Sequence, residues 1–138
     1  MRRNDEIQAA LVAYLKSKTA ITNELVAEGS SASEIREDQW KGTEFIYPNI
    51  RVRLISNTSP DPSCNYSKIE VSFMVFAEDQ SSKIVDRIAG IINTTLNKKG
   101  FSSNSIAISL TITNLIPAIA QSEAVWRSEV LMSGIVSG

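Results

Sequence analysis

Apolar side chains recur along most of this chain with one of two periods, and the period changes at polar punctuation. Near the N-terminus, Ile7, Ala10, Leu11, Tyr14 and Leu15 fall at three- and four-residue spacing, the stripe of an amphipathic helix. Asn4 or Asp5 is placed to cap it. Asp5 and Glu6 suit its positive end, and Lys16 and Lys18 its negative end. The stretch "ITNELVAEG" adds a short turn of helix that ends at Gly29. A polar tract, "SSASEIREDQWKGTEF", then shows no sustained period and reads as a long loop. Trp40 stands out within it, as an anchor to the core or a group that docks on a partner.

The period then drops to two. Over residues 49–56, Ile50, Val52 and Leu54 alternate with Arg51 and Arg53, the mark of a half-buried strand. "SNTSPDPSCN" is a turn-rich connection. In "YSKIEVSFMVFAE", Ile69, Val71, Phe73 and Val75 share one face and Lys68, Glu70 and Ser72 the other. Met74 and Phe76 break the polar side, so something covers that end. A second long helix is expected over about 81–98. Ile84, Ile88, Ile91, Ile92 and Leu96 form its stripe, Asp79 or Ser81 its cap, Lys98 and Lys99 its last turn, and Gly100 its left-handed stop. "SIAISLTITNLI" sets Ile106, Ile108, Leu110 and Ile112 against Ala107, Ser109, Thr111 and Thr113, with Pro117 just beyond the strand. In "AVWRSEVLMSGIV", Trp126, Val130, Met132 and Val136 alternate with Arg127, Glu129 and Ser133. The expected order is α-β-β-α-β-β. That predicts one α+β domain over residues 1–138, a four-stranded antiparallel sheet with helices packed on one face.

Composition narrows the chemistry more than the fold. The 138 residues are 43% hydrophobic and carry a net charge of −1, so no broad field draws the chain to nucleic acid or anionic lipid. Low net charge also permits self-association. No apolar run approaches the roughly 18 residues of a membrane helix. "MRRNDEIQ" turns polar at once, unlike a secretory signal, and Cys64 has no partner within the chain; the expectation is a reducing cytosol. Histidine is absent, which removes the usual nucleophile triads and His-based metal sites. GxxxxGK[ST] and GxGxxG motifs are absent too. Glu34, Glu37 and Asp38 lie close enough together to interest a hard cation, but a solvated acidic loop is the better reading without calcium-loop spacing. Neither a catalytic residue nor a cofactor is expected.

What remains is the polar side of the sheet. Arg51, Arg53, Lys68, Glu70, Ser72, Ser109, Thr111, Thr113, Arg127 and Glu129 are expected on it, with mixed signs. It reads as a solvated face with cross-strand pairs, as a subunit interface, or as the wall of a channel. Glu70 and Glu129 dilute it as a nucleic-acid surface.

The order and texture of several stretches together resemble a known family. "IQAALVAYLK" precedes a variable loop, Tyr-Pro opens "YPNIRVRLI", and "IEVSFMVFAEDQSSKIVDRIAGIINTTLN" runs a strand into a helix. A hairpin with "VWRSEVLMSGIVS" closes the chain. From about residue 5 to 137 this resembles the tail terminator, or tail completion, proteins of long-tailed bacteriophages and gene transfer agents. The resemblance implies a non-enzymatic virion protein, assembled in the host cytoplasm, forming a ring that is commonly a hexamer. Such a ring sits on the tail tube, stops its polymerisation and offers a surface for head-to-tail joining. Its implied partners are copies of itself, the major tail tube protein, a neck or head–tail connector protein, and DNA that crosses the lumen unread. No membrane is involved. Interface residues do not transfer through motifs, so the nominated ones rest on physical grounds. Arg51, Arg53, Lys68, Glu70, Arg127 and Glu129 are nominated for a subunit interface or lumen, and Glu37, Asp38, Trp40, Pro60 and Asp61 for docking loops. The rival readings are another neck protein and a small α+β ligand-binding domain.

Overall fold

The computed structural model describes residues 2–38, 46–60, 65–78 and 82–137. Among these are three α-helices: α1 (Asn4–Ser17), α2 (Thr19–Ala27) and α3 (Lys83–Leu96). A 3-10 turn covers Ala32–Glu34. The strands are β1 (Ile35–Glu37), β2 (Asn49–Thr58), β3 (Tyr66–Glu78), β4 (Lys99–Ser103), β5 (Ile106–Ala120) and β6 (Val125–Ser137). They form one sheet in the order β1-β2-β3-β6-β5-β4, with β1 parallel to β2 and the other pairs antiparallel.

The expected four-stranded antiparallel sheet is therefore wrong: the sheet is six-stranded and mixed, curled into a half-barrel, with three helices. The four long strands lie where alternation put them. The two missed strands are the edges, and each lacks a local signal. β1 is three residues long, too short to show a period, and it forms only because Ile35, Arg36 and Glu37 pair with Ile50, Arg51 and Val52 far along the chain. β4, "KGFSS", carries one large apolar residue and pairs with residues 106–110.

The helices lie in the concave side of the sheet. α1 reaches both edge strands. Ser103 of β4 donates its hydroxyl hydrogen to the Ala10 carbonyl at 2.8 Å. Tyr14 stacks on Phe101 with ring centroids 3.7 Å apart. α3 covers β3, β5 and β6, and Arg87 ties it to α2 through Glu24 and Glu28, both at 2.9 Å. The core lies between these layers, where Ile7, Leu11 and Leu15 of α1 and Ile88 and Ile92 of α3 are buried with Ile50, Val52, Val71, Phe73 and Val130 of the sheet.

Several local expectations need correction. α1 begins at Asn4, and its capping residue Arg3 makes no side-chain cap bond; Asp5 takes hydrogen bonds from the Arg3 guanidinium instead. The caps expected for α3, Asp79 and Ser81, lie outside the described residues. Lys98, at φ 58°, takes the left-handed position after α3 that Gly100 was expected to fill, and its N–H donates to the Leu110 carbonyl at 2.8 Å. Gly100 is thereby drawn into β4. Gly29 does take the left-handed conformation after α2, at φ 88°. Pro117 lies inside β5 rather than beyond it. It is tolerated because the register with β6 is interrupted between Ile116 and Ile119, where no ladder bond is asked of its nitrogen.

Because the edge strands are short, β2 and β5 run on past them with open edges. Helix side chains occupy some of the exposed donors. Gln8 of α1 accepts from the Leu54 N–H at 3.3 Å. Asn97 accepts from Ile112 N–H, and Asp86 of α3 from Ala118 N–H, both at 2.9 Å. Replacing Asn97 by Ala leaves the half-buried Ile112 donor without its acceptor. Urea unfolding of Asn97→Ala is expected to show a loss of about 1–3 kcal/mol with an unchanged slope.

Candidate assembly surface

Cross-strand register fixes which polar residues share the convex side of the half-barrel. Reading from β2 through β3 and β6 to β5, one row is Arg51, Met74, Glu129 and Ile116. The next is Arg53, Ser72, Leu131 and Asn114, followed by Ser56, Glu70, Ser133 and Thr111, and then Thr58, Lys68, Ile135 and Ser109. On the other side of the first row lie Asn49, Phe76, Arg127 and Ile119. Arg51, Arg53, Lys68, Glu70, Arg127 and Glu129 thus lie on one face. Thr113 falls at the register shift between Ile112 and Asn114, and its hydroxyl donates to the Leu131 carbonyl at 3.0 Å.

This face is not uniformly wet. Its middle is closed: Arg51 is 6% exposed, Ser72 2% and Met74 9%. Met74 and Phe76 are accordingly covered, as their break in the alternation implies, Phe76 only in part. Arg53, Lys68 and Glu70 are exposed, and Arg127 and Glu129 half-buried. Glu129 takes a hydrogen bond from the Ser72 hydroxyl at 2.7 Å, so it is tied to its own sheet. Among the described residues Arg53, Lys68, Glu70 and Arg127 make no ion pair, and the simple picture of cross-strand pairs does not account for their charge. A wide, shallow hollow of about 380 Å³ opens over the last two rows, lined among others by Ser56, Lys68, Glu70, Thr111 and Ser133.

Arg51 owes its position to β1. The parallel register sets Arg36 beside it. Burial pushes the Arg51 guanidinium below the usual arginine range, and the like charge of Arg36 pushes the same way, against Asp38 and Glu34. Arg36 pairs with Glu34 at 3.0 Å, and Glu34 is 4% exposed. Its other oxygen accepts the Ile46 N–H at 3.1 Å. The expectation of a solvated acidic loop fails for Glu34, which is buried and bonded to Arg36 and the Ile46 N–H. Glu37 ends β1, and the Asp38 N–H extends the pairing to the Val52 carbonyl at 2.9 Å. Among the described residues no three His, Cys, Asp or Glu side chains are grouped to hold a metal. Pro60 is exposed just beyond β2, while Trp40, Asp61 and Cys64 lie outside the described residues.

A second surface was not anticipated. β4 pairs with β5 only as far as Leu110, so the rest of β5 keeps an open outer edge. Leu115, opposite Val130, and Ile119, opposite Arg127, are each 43% exposed there, on opposite faces of the sheet. The signal was available in the sequence: Gly100 to Ser122 contain no Asp, Glu, Lys or Arg, in a chain that is 21% charged.

No family model matches the chain, and no curated protein matches it in sequence. Its fold does have solved counterparts. A chain of the structure described as "Virion of native gene transfer agent (GTA) particle" superposes with a TM-score of 0.69 at 12% identity, over 96% of this chain and 95% of that one. A second solved chain superposes with a TM-score of 0.64 at 14% identity, over 100% and 98%. At these identities the likeness is one of fold. None of the described helices is long and apolar enough to cross a membrane.

Proposed function

We propose that this chain is a structural virion protein of the tail-terminator kind, a ring that caps the tail tube, stops its growth and offers the surface on which the head joins. The observation that carries the reading is the end-to-end likeness to a chain of a gene transfer agent virion, 96% of one chain on 95% of the other. Because both chains are covered almost entirely, the shared unit is the whole domain. The reading agrees with the order and texture that already resembled this family in the sequence.

Two further features support it. The hollow on the convex face is open and lined by four hydroxyls, one lysine, one carboxylate, Ile69 and Ile135, a surface suited to contact more than to an enclosed reaction. The exposed charges Arg53, Lys68 and Glu70 share one face with mixed sign, as suits a docking surface or a lumen wall that DNA passes unread. On this reading the protein catalyses nothing. Its partners are its own copies, the tube protein and a neck protein, and its place is the virion.

Deleting the gene from the phage or phage-like element that encodes it tests the reading directly. Electron microscopy is expected to show over-long tubes and few joined particles. Tails of normal length joined to heads would overturn it, and normal tube length with unjoined heads would move the protein to the neck. For the convex face, Arg53→Glu combined with Lys68→Glu is expected to keep stability within about 1 kcal/mol of the parent, since both side chains are exposed. The yield of joined particles is expected to fall at least tenfold; an unchanged yield would remove this face from the reading.

A further inference from the structure

The outer edge of β5 carries a hazard that its own side chains do nothing to offset. Leu110 to Ile116, "LTITNLI", is rich in strand-forming residues and has no charge and no proline. Identical segments of this composition pair readily with one another. Natural edges are usually defended by charge, and residues 100–122 contain no Asp, Glu, Lys or Arg. Two identical copies of this edge would therefore meet without repulsion, and a two-fold axis would set them antiparallel. Among the described residues no strand pairs with this edge beyond Leu110.

Other groups blunt the edge instead. The Lys98 N–H occupies the Leu110 carbonyl at 2.8 Å. Asn97, just past the end of α3, accepts the Ile112 N–H, and Asp86, in the first turn of α3, accepts the Ala118 N–H, both at 2.9 Å. These side-chain oxygens take the donors that the carbonyls of an added strand would need. They sit at opposite ends of α3, so the helix lies along the edge between them. Pro117 offers no N–H, and the register with β6 shifts between Ile112 and Asn114 and again between Ile116 and Ile119. Proline, bulges and a covering helix are each ways of closing an edge, and all three fall on this one stretch.

We propose that Asp86 and Asn97 are guards: they keep the β5 edge of one copy from pairing with the β5 edge of another. The proposal goes beyond the ring reading and does not depend on it. It explains how a strand with no charge of its own stays unpaired, and it leaves assembly to other surfaces.

Removing the guards tests it. Asp86→Ala with Asn97→Ala is expected to self-associate about tenfold more tightly than the parent in sedimentation, because two backbone donors then become free for a second strand. In a Cys64→Ser background, Asn114→Cys marks the exposed segment. A short bismaleimide is expected to join two copies of the unguarded chain there, and to leave the guarded chain unjoined. Asp86→Asn keeps an acceptor oxygen and is expected to behave as the parent. Adding Asn114→Lys to the unguarded chain is expected to restore the parent's behaviour, because like charges then face each other. Ile92→Val loosens the buried side of α3 without touching the edge, and controls for lost stability. Asp86 is exposed, so Asp86→Ala alone keeps the fold where the double variant does not, and is expected to show a smaller gain, cross-linked at the same site. Unchanged association of the unguarded chain, equal association of Ile92→Val, or failure of Asn114→Lys to reverse the gain would overturn the guard role. Cross-linking at Asn114→Cys in the guarded chain would overturn it too, by showing an edge already open.

Discussion

Phe73→Ala is expected to lower stability by about 3–5 kcal/mol, measured by urea unfolding. Phe73 is fully buried at the centre of β3, between Val52 of β2 and Val130 of β6 in the cross-strand register, on the side that α3 covers. Its ring lies among side chains from both layers, and the sheet cannot close inward over the gap because its neighbours are held by ladders on both sides. A domain of this size has roughly 5–15 kcal/mol in all, so the variant is expected to be partly unfolded at physiological temperature. Phe76 provides the control. It lies on the convex side of the same strand and is half-buried, so Phe76→Ala is expected to cost less than half as much. Equal losses at the two positions would mean that the concave layer is not the main core.

The second large effect is at Gly134. β5 and β6 approach so closely there that a Cβ would overlap the Ser109 carbonyl oxygen. The obstacle is backbone in the middle of a ladder, which cannot swing aside as a side chain would. Gly134→Ala is expected to cost about 1–3 kcal/mol, lowering the melting midpoint by several degrees. The contrasting position is Gly90, inside α3, where a Cβ would meet nothing within 4 Å. Gly90→Ala is expected to raise stability by about 0.4–1 kcal/mol, because the unfolded chain loses freedom and the helix loses nothing. The two identical substitutions are thus expected to move the midpoint in opposite directions in calorimetry. A neutral Gly134→Ala would mean that the β5–β6 approach is looser than described.

The composition of the convex face was legible before its state of burial was. Alternation set Arg51 beside Arg53 on one side of a strand, and both are there. Nothing local distinguished them, yet Arg51 is buried and Arg53 exposed. The strand β1 sets Arg36 alongside Arg51 and stops before reaching Arg53. Glu34 gives the same lesson. In the polar tract it reads as one acid among several; in the fold it holds Arg36 and the backbone of Ile46. The open edge of β5 is the reverse case: its uncharged run stands in plain sequence, but the edge is uncovered only because β4 stops at Leu110.

By itself the sequence determined the two long helices, the four long strands and the side of each strand that faces the core. Those properties are written by spacing within a dozen residues, where the helical and extended backbones impose periods of 3.6 and 2 on whatever is buried. Only the tertiary structure decided the short edge strands, the parallel pairing of β1, the curl of the sheet around α1 and the burial of Arg51 and Glu34. Each of these depends on groups brought together from distant parts of the chain: a three-residue strand has no period of its own, and a charged side chain is buried or exposed according to what the rest of the fold lays against it.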